Sequence, residues 1–522
     1  MKKKIIIINS KENVDLKERG TFYINIGDGH VNSLYSKKII FKKYQKLYFK
    51  KFKDEIVNSL KNKVLESQKK IKFFFELEIF NLRNDKIKNI DLIINMMVVK
   101  HVIKKLGFKE VCLITDDYFT QQIFSDNFSK IKNLNKLSKK SKIDLAIFKI
   151  IKFYIKTFFL LIFLKMFKKN KKFLKKYHEA CISIKPIFFK DGKENFFKKE
   201  EILKYNFLLT DETHLNHSFL DILKIIKNDE KNLVHVESYI SFKSLFLSLL
   251  KSFKLLFLVK KSKLKFVVKG IDLSVFYSSY LIASAINRAK LFIYDNALLV
   301  LLKKNEISRF RLYLFEYSFG FYLINLIKTN LNKVKISGYQ HGIFSDKLMW
   351  FEILIKNKLN KNYLPDEIIS FNSQSLKDYK KQLKFKNIKF KLVSKKSSNI
   401  SNQYISKQTK KGKNHILVLT GTHDAKIIYE KIKNKKLNNS FNDDIFYFKF
   451  HPKNKININS TENLKIISSI KDKRFNKVLI SSTSTLVYDF IKLKKNFMVY
   501  EIDNKQNLIS SALNKKIKFY HV

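Results

Sequence analysis

Short apolar runs alternate with helical stretches along most of this chain, and that alternation confines it to folds built on parallel sheets. A strand covered on both faces reads as a continuous Val/Ile/Leu/Phe run rather than an alternating one. Such runs are VCLITDD at 111–117, NFLLTDE at 206–212, NLVHVES at 232–238, LFIYDN at 291–296, RLYLFEY at 311–317 and KVKISGY at 333–339. Helices are predicted between them, notably over 89–106 and 276–290. Pro365 disfavours helix at the residue before it and introduces the strand DEIISF. The alternation resumes with IKFKLVS, HILVLTG at 415–421, DIFYFKF at 444–450, KVLISS at 477–482 and FMVYEI at 497–502. A chain of 522 residues can bury two substantial cores. The expected fold class is α/β, with two Rossmann-like parallel-sheet domains facing a cleft. The expected division is 1–375 as an acceptor-side domain, carrying a basic helical insertion over 119–204, and 376–522 as a nucleotide-binding domain. The polar stretch 394–414 reads as a loop or linker.

The opening MKKKIIIINSKE begins like a signal peptide, but its apolar run is four residues long and no cleavage site follows, so it reads as a first strand. Cys112 and Cys181 have neither metal-ligand spacing nor a disulfide pattern, and Cys112 sits in an apolar strand as a core residue. That usage suits a reducing cytoplasm, which is the expected location. The run TFFLLIFL at 157–164 lies between Lys156 and Lys165 and is far short of a membrane span. Both it and 242–268 interleave Lys with Phe and Leu, a pattern shared by helices lying in a membrane interface and by amphipathic core helices.

The formal charge of +60 raises the question of a nucleic-acid partner. Of the 105 basic residues six are Arg and 99 are Lys, whereas nucleic-acid readers favour the bidentate Arg fork. Lys, Asn, Ile, Phe and Tyr all have A/T-rich codons, so codon bias over solvated faces accounts for much of the charge. No nucleic acid is expected as a partner. An anionic membrane surface, which attracts Lys without fork geometry, is the better second reading.

Chemistry-bearing residues cluster at strand ends. KVKISGYQHG places Gly338, Gln340 and Gly342 around His341, in a turn that lifts an imidazole from the sheet edge where α/β folds bind ligands. Glu316 closes a strand 25 residues earlier, and two adjacent parallel strands would bring it beside His341; a buried structural carboxylate is the competing reading. In DIFYFKFHPKN, His451 and Pro452 fall at a strand's carboxyl end, and His451, Lys453 and Lys455 can face a phosphate. In KVLISSTSTLVYDF, Ser481, Ser482, Thr483 and Ser484 fall where a helix begins, offering hydroxyls and backbone N–H groups to an anion. Gly421 and Thr422 could cradle a phosphate or sugar, with Asp424 as helix N-cap. Asp116–Asp117 and Asp211–Glu212 have no second cluster at ligand spacing, so no metal and no cofactor is expected. GxGxxG, the P-loop and the G-x-S-x-G elbow are all missing.

Over residues 290–505 this set resembles the bacterial surface-carbohydrate glycosyltransferases of the two-domain GT-B fold, among them sialyltransferase-like and capsule polysaccharide enzymes. The resemblance extends to the glycerophosphotransferases of teichoic acid synthesis, which use a CDP-linked donor. It is carried by Phe315-Glu316-Tyr317, a helix over 319–329, SGYQHG, the His451-Pro452 turn and the Ser481–Ser484 turn; Tyr317-Ser318 stands where that family has an Asn. The resemblance implies a nucleotide-sugar donor held by His451 and Ser481–Ser484. It also implies a glycan or lipid-linked acceptor facing His341 and Glu316, and metal-independent inverting transfer at the cytoplasmic face of the membrane. A glycerophosphotransferase-like polymerase and a non-catalytic protein of polysaccharide assembly are the alternatives.

Overall fold

The computed structural model describes residues 3–39, 89–134, 143–167, 177–183, 189–190, 193–194, 202–208, 232–268, 270–348, 361–393, 414–437, 444–451, 460–470, 475–502 and 507–521, less short gaps within them, together with the isolated residues 58, 62, 76, 220, 351 and 354. Three large parallel sheets organise these residues, beside a two-stranded parallel pair, Val14–Leu16 with Val31–Ser33, and two short antiparallel pairs. The first contains β1 (Lys4–Asn9), β2 (Phe22–Asn25), β3 (Lys37–Lys38), β4 (Glu110–Thr115) and β5 (Ile131–Asn133), in the spatial order β3-β2-β1-β4-β5. The second contains β6 (Glu179–Ser183), β7 (Leu203–Asn206), β8 (Leu233–His235), β9 (Arg309–Tyr313), β10 (Lys335–Tyr339), β11 (Glu367–Ser370) and β12 (Lys389–Leu392), ordered β8-β7-β6-β9-β10-β11-β12. The third contains β13 (His415–Leu419), β14 (Ile445–Lys449), β15 (Leu464–Ile466), β16 (Lys477–Ser481), β17 (Met498–Glu501) and β18 (Lys518–His521), ordered β15-β14-β13-β16-β17-β18.

Each large sheet runs outward in one direction from its first strand and then reverses, which is the doubly wound order with a topological switch point beside that strand. The α/β class and the parallel sheets are as expected, but two sheets become three, because residues 4–133 form a sheet of their own. The run Ile5–Ile8 shows why: Ile5 and Ile7 pack on one face, Ile6 and Ile8 on the other, so both faces are covered. In β13, likewise, Leu417 and Leu419 face one core and Ile416 and Val418 the other.

The principal helices are α1 (Asn89–Leu106), α2 (Tyr118–Asn127), α3 (Ile143–Phe167), α4 (Phe242–Lys261), α5 (Ser274–Leu291), α6 (Tyr294–Lys304), α7 (Ser318–Asn330), α8 (Ser373–Leu383), α9 (Ala425–Leu437) and α10 (Leu486–Lys492). The helices expected at 89–106, 276–290 and 319–329 are α1, α5 and α7. LFIYDN at 291–296 is not a strand: it is the junction of α5 and α6, with Leu291, Ile293 and Tyr294 fully buried. An apolar run buried on all sides reads alike in a strand and in a core helix. Residue 375 lies inside α8, between β11 and β12, which pair with each other, so the second sheet extends past the expected division to 392. Besides α3, the stretch 119–204 supplies β6 and the start of β7, both members of the second sheet.

One buried polar cluster locks α5 to α7. Arg288 (6% exposed) donates from Nε to the Glu76 carboxylate, whose other oxygen accepts from Asn325 Nδ2 at 2.9 Å. The guanidinium stacks on Phe292 and Tyr322, and the Tyr322 hydroxyl donates to Asp295 Oδ1 at 2.9 Å. Burial raises the affinity of both Glu76 and Asp295 for a proton, and Arg288 opposes it.

Lys290, near the end of α5, is 9% exposed with Nζ over the Phe153 ring, and burial, reinforced by Lys149 and Lys156, pulls it from 10.5 down to about 8. Between those two values the unfolded chain holds a proton that the folded chain has shed, so this group's contribution rises with pH. At pH 7 the folded state must instead keep a desolvated charge. Lys290→Met is therefore expected to stabilise the protein by about 1–3 kcal/mol at pH 7. The gain over wild type should vanish towards pH 10.5, as read by urea unfolding of the two proteins.

Candidate functional site

The third sheet has the order in which its first strand, β13, lies between β14 and β16, so the carboxyl ends of those three strands meet at its switch point. The residues emerging there are Thr420-Gly421 after β13, His451 after β14 and Ser481–Ser484 at the end of β16. Candidates scattered over 64 residues of sequence thereby share one edge. The His451 N–H donates to Thr420 Oγ1 at 3.2 Å, tying two of the strand ends together.

Asp424, 7% exposed and directly before α9, ties in the third. Its Oδ1 accepts the Gly421 N–H at 2.7 Å and its Oδ2 accepts the Ser481 hydroxyl. Ser481 Oγ also lies 2.8 Å from Thr483 Oγ1 and accepts the Thr483 N–H at 3.2 Å. Tyr500, near the end of β17, places its hydroxyl among Asp424, Ser481 and Gly421, and burial, with the Asp424 charge behind it, pushes that phenol well above its usual value. A Cβ at Gly421 would fall 2.1 Å from Thr483 Oγ1 and 2.7 Å from Ser481 Oγ, so only glycine permits this approach.

This geometry revises several expected roles. Ser481 is fully buried and braces the turn, and the Thr483 hydroxyl is turned in against it; the hydroxyls left at the edge belong to the half-buried Ser482 and Ser484. The Gly421 N–H is engaged by Asp424 and so does not cradle an anion. The Thr483 and Ser484 N–H groups are held by Ser481, and the Leu486 N–H by Ser484 Oγ at 3.3 Å, so the start of the short α10 is already capped from within. What the edge can offer a phosphate is a set of hydroxyls and the half-buried His451 imidazole. Thr422, Pro452 and Lys453 lie outside the described residues. Sequence reasoning missed Thr420 and Tyr500, and gave Asp424 only a helix cap. Their role depends on strand adjacency, for which no local motif codes.

In the second sheet β9 and β10 are adjacent and parallel, as the Glu316–His341 pairing requires. Glu316 nevertheless lies in the interior at 0% exposure, the second of the two readings given for it. Its Oε1 accepts the Tyr379 hydroxyl at 2.6 Å, and Tyr379 stacks on Phe344 with ring centroids 3.7 Å apart. Gly338 makes no turn: it is part of β10, where a Cβ would meet the Phe315 ring at 2.7 Å, so its role is to admit that ring. His341 lies outside the described residues, but its neighbours are fixed. The buried Gln340 side chain donates to the Gly342 carbonyl at 2.7 Å and accepts from the Ser370 hydroxyl at 2.6 Å. Two residues on, Ile343 joins the core of the third sheet, and the Phe344 carbonyl accepts from the Tyr488 hydroxyl of α10 at 3.4 Å. Asp346 accepts the Ser511 N–H at 2.9 Å. The His341 segment thus bridges the second and third sheets.

Asp117 caps α2, accepting the Thr120 N–H and hydroxyl at 3.0 and 2.7 Å; Asp211 and Glu212 lie outside the described residues. Among the described residues no group of three His, Cys, Asp or Glu side chains is arranged to hold a metal ion. None of the described helices is long and apolar enough to cross a membrane.

Fold and edge together define a doubly wound α/β protein with a polar edge at the switch point of its last described sheet. No family model matches the chain, and no curated protein is similar to it in sequence. Among solved structures, the UGT2 of Phytolacca americana complexed with UDP-2fluoro-glucose and pterostilbene aligns over 63% of this chain and 82% of its own. The identity is 9% and the TM-score 0.33.

Proposed function

We propose that the chain is a nucleotide-sugar-dependent glycosyltransferase that extends a surface polysaccharide or lipid-linked glycan by inverting, metal-independent transfer. The observation that carries this reading is the gathering of His451 and the Ser482 and Ser484 hydroxyls at the switch point of a sheet with dinucleotide-fold order. Hydroxyls and an imidazole at that edge suit the diphosphate of a nucleotide donor, and Thr422 and Lys453 follow β13 and β14 in the sequence.

In this reading the acceptor oxygen bonds to the anomeric carbon from the side opposite the phosphate, and the carbon–phosphate-oxygen bond breaks. The acceptor's proton passes to a base, and the nucleotide leaves with its new charge stabilised at the third sheet. His341 is the base, next in sequence to Gln340 and Gly342 and two residues before Ile343, which joins the core of the third sheet. Glu316, buried under that segment against Tyr379, acts as a support and not as a second base.

The test is a thermal-shift screen against CMP-, CDP-, UDP-, GDP- and dTDP-linked donors, because a ligand that binds only the native state stabilises it by about 2.7 kcal/mol at a hundredfold excess over Kd. One nucleotide class is expected to raise the Tm of the wild type, and His451→Ala to lose that response while keeping its own unliganded Tm. A wild type unmoved by every donor would sink the proposal.

A further inference from the structure

Outside the edge of the third sheet, α3 and α4 carry an arrangement that the transferase reading does not use. Each helix has two apolar faces. The inward ones bury Ile150, Leu160 and Leu164 on α3, and Leu245, Leu255 and Val259 on α4. The outward ones leave large apolar side chains in the open: Phe148 (61% exposed), Ile155 and Phe159 on α3, and Phe246 (61%), Leu250 and Phe257 (64%) on α4.

The two outward faces are neighbours. The Tyr154 hydroxyl lies 2.9 Å from Ser252 Oγ, while further along α3 the Phe158 ring lies 5.5 Å from that of Phe242, so the helices run antiparallel. Lys165 Nζ sits 3.8 Å from the centre of the Phe242 ring. At about 1.5 Å per residue the helices are roughly 37 and 30 Å long, which makes a broad, ridged platform. Monomeric soluble proteins rarely expose a contiguous apolar surface of that kind without a partner.

Charge selects the partner. α3 carries Lys149, Lys152, Lys156 and Lys165 against a single acid, Asp144, and α4 carries five Lys and no acid. A second copy of this chain would set like-charged faces together in a protein of net charge +60. A surface that is apolar within and anionic at its boundary complements Phe and Leu rows flanked by Lys.

We infer that the paired outer faces of α3 and α4 dock on an anionic phospholipid leaflet, with the Phe rings at the headgroup–acyl boundary and the lysines on lipid phosphates. The inference stands independently of the proposed transferase activity. It gives the sequence pattern at 157–164 and 242–268 a specific surface.

The test is flotation of the full-length chain with phosphatidylcholine vesicles, with and without phosphatidylglycerol, for the wild type and for Phe148→Ser/Phe246→Ser/Phe257→Ser. The three side chains are exposed, so an unchanged melting curve and circular dichroism spectrum certify the variant's fold. The wild type is expected to float with phosphatidylglycerol vesicles and not with neutral ones, and the variant to bind at least about tenfold more weakly. Three results would overturn the inference: no flotation of the wild type, equal flotation of wild type and variant, or equal binding to neutral vesicles. A wild-type dimer in sedimentation that the variant abolishes would assign the face to a second copy instead.

Discussion

Gly421→Ala is expected to weaken nucleotide binding more than tenfold while leaving a folded protein. The new methyl group would sit 2.1 Å from Thr483 Oγ1 and 2.7 Å from Ser481 Oγ, inside contact distance of both. The Thr483 and Ser481 hydroxyls must turn away or the strand ends must part, and either breaks the contacts by which Asp424 holds Gly421 and Ser481 at once. Overpacking of this sort costs about 1–3 kcal/mol of stability. The ligand feels it too, because the hydroxyls and the imidazole lose their common geometry: nucleotide affinity should fall more than tenfold, or over about 1.4 kcal/mol. Calorimetric titration of the variant with the donor found by thermal shift reads this directly. Wild-type affinity in a folded Gly421→Ala protein would show that the ligand does not use this edge.

Arg288→Met is expected to produce the largest loss of stability of any change considered, about 3–5 kcal/mol, because it leaves the Glu76 carboxylate buried without its cation. The loss should depend on pH, and its sign follows from Glu76. Burial already raises this group, and without Arg288 its folded-state affinity for protons rises further. A carboxyl raised in the folded state loses stability as pH climbs above its unfolded value of 4.5. The deficit relative to wild type should therefore be small near pH 4.5 and widen towards pH 8. Urea unfolding of both proteins across that range measures it, and a deficit independent of pH would show that the guanidinium matters only through its stacking on Phe292 and Tyr322. Arg288→Lys, which restores the charge but not the fork, should recover part of the loss.

The polar strand ends of the third sheet and the buried cluster were unequally legible in the sequence. The places of His451 and Ser481–Ser484 at the ends of β14 and β16 were readable because each follows an apolar run that reads as a buried strand. The cluster around Arg288 was not, since Glu76 is 212 residues away and no local pattern connects them. LFIYDN misled for a related reason: periodicity reports burial on all sides, not whether the buried backbone is extended or helical.

What the sequence determined by itself was the α/β class, the positions of most strands and of α1, α5 and α7, and the strand ends at which polar residues gather. Short-range physics governs those features: apolar runs, Pro and Gly placement, and residues that begin or end an element. Only the tertiary structure decided that the described residues form three large sheets rather than two, that β12 belongs to the second of them, and that Glu316 faces inward to Tyr379. It alone placed Asp424 between Gly421 and Ser481, and set the Phe rows of α3 and α4 side by side on the surface. Strand order and helix pairing arise from contacts between residues far apart in the chain. Their energies depend on which faces meet, and a single sequence carries no local record of that choice.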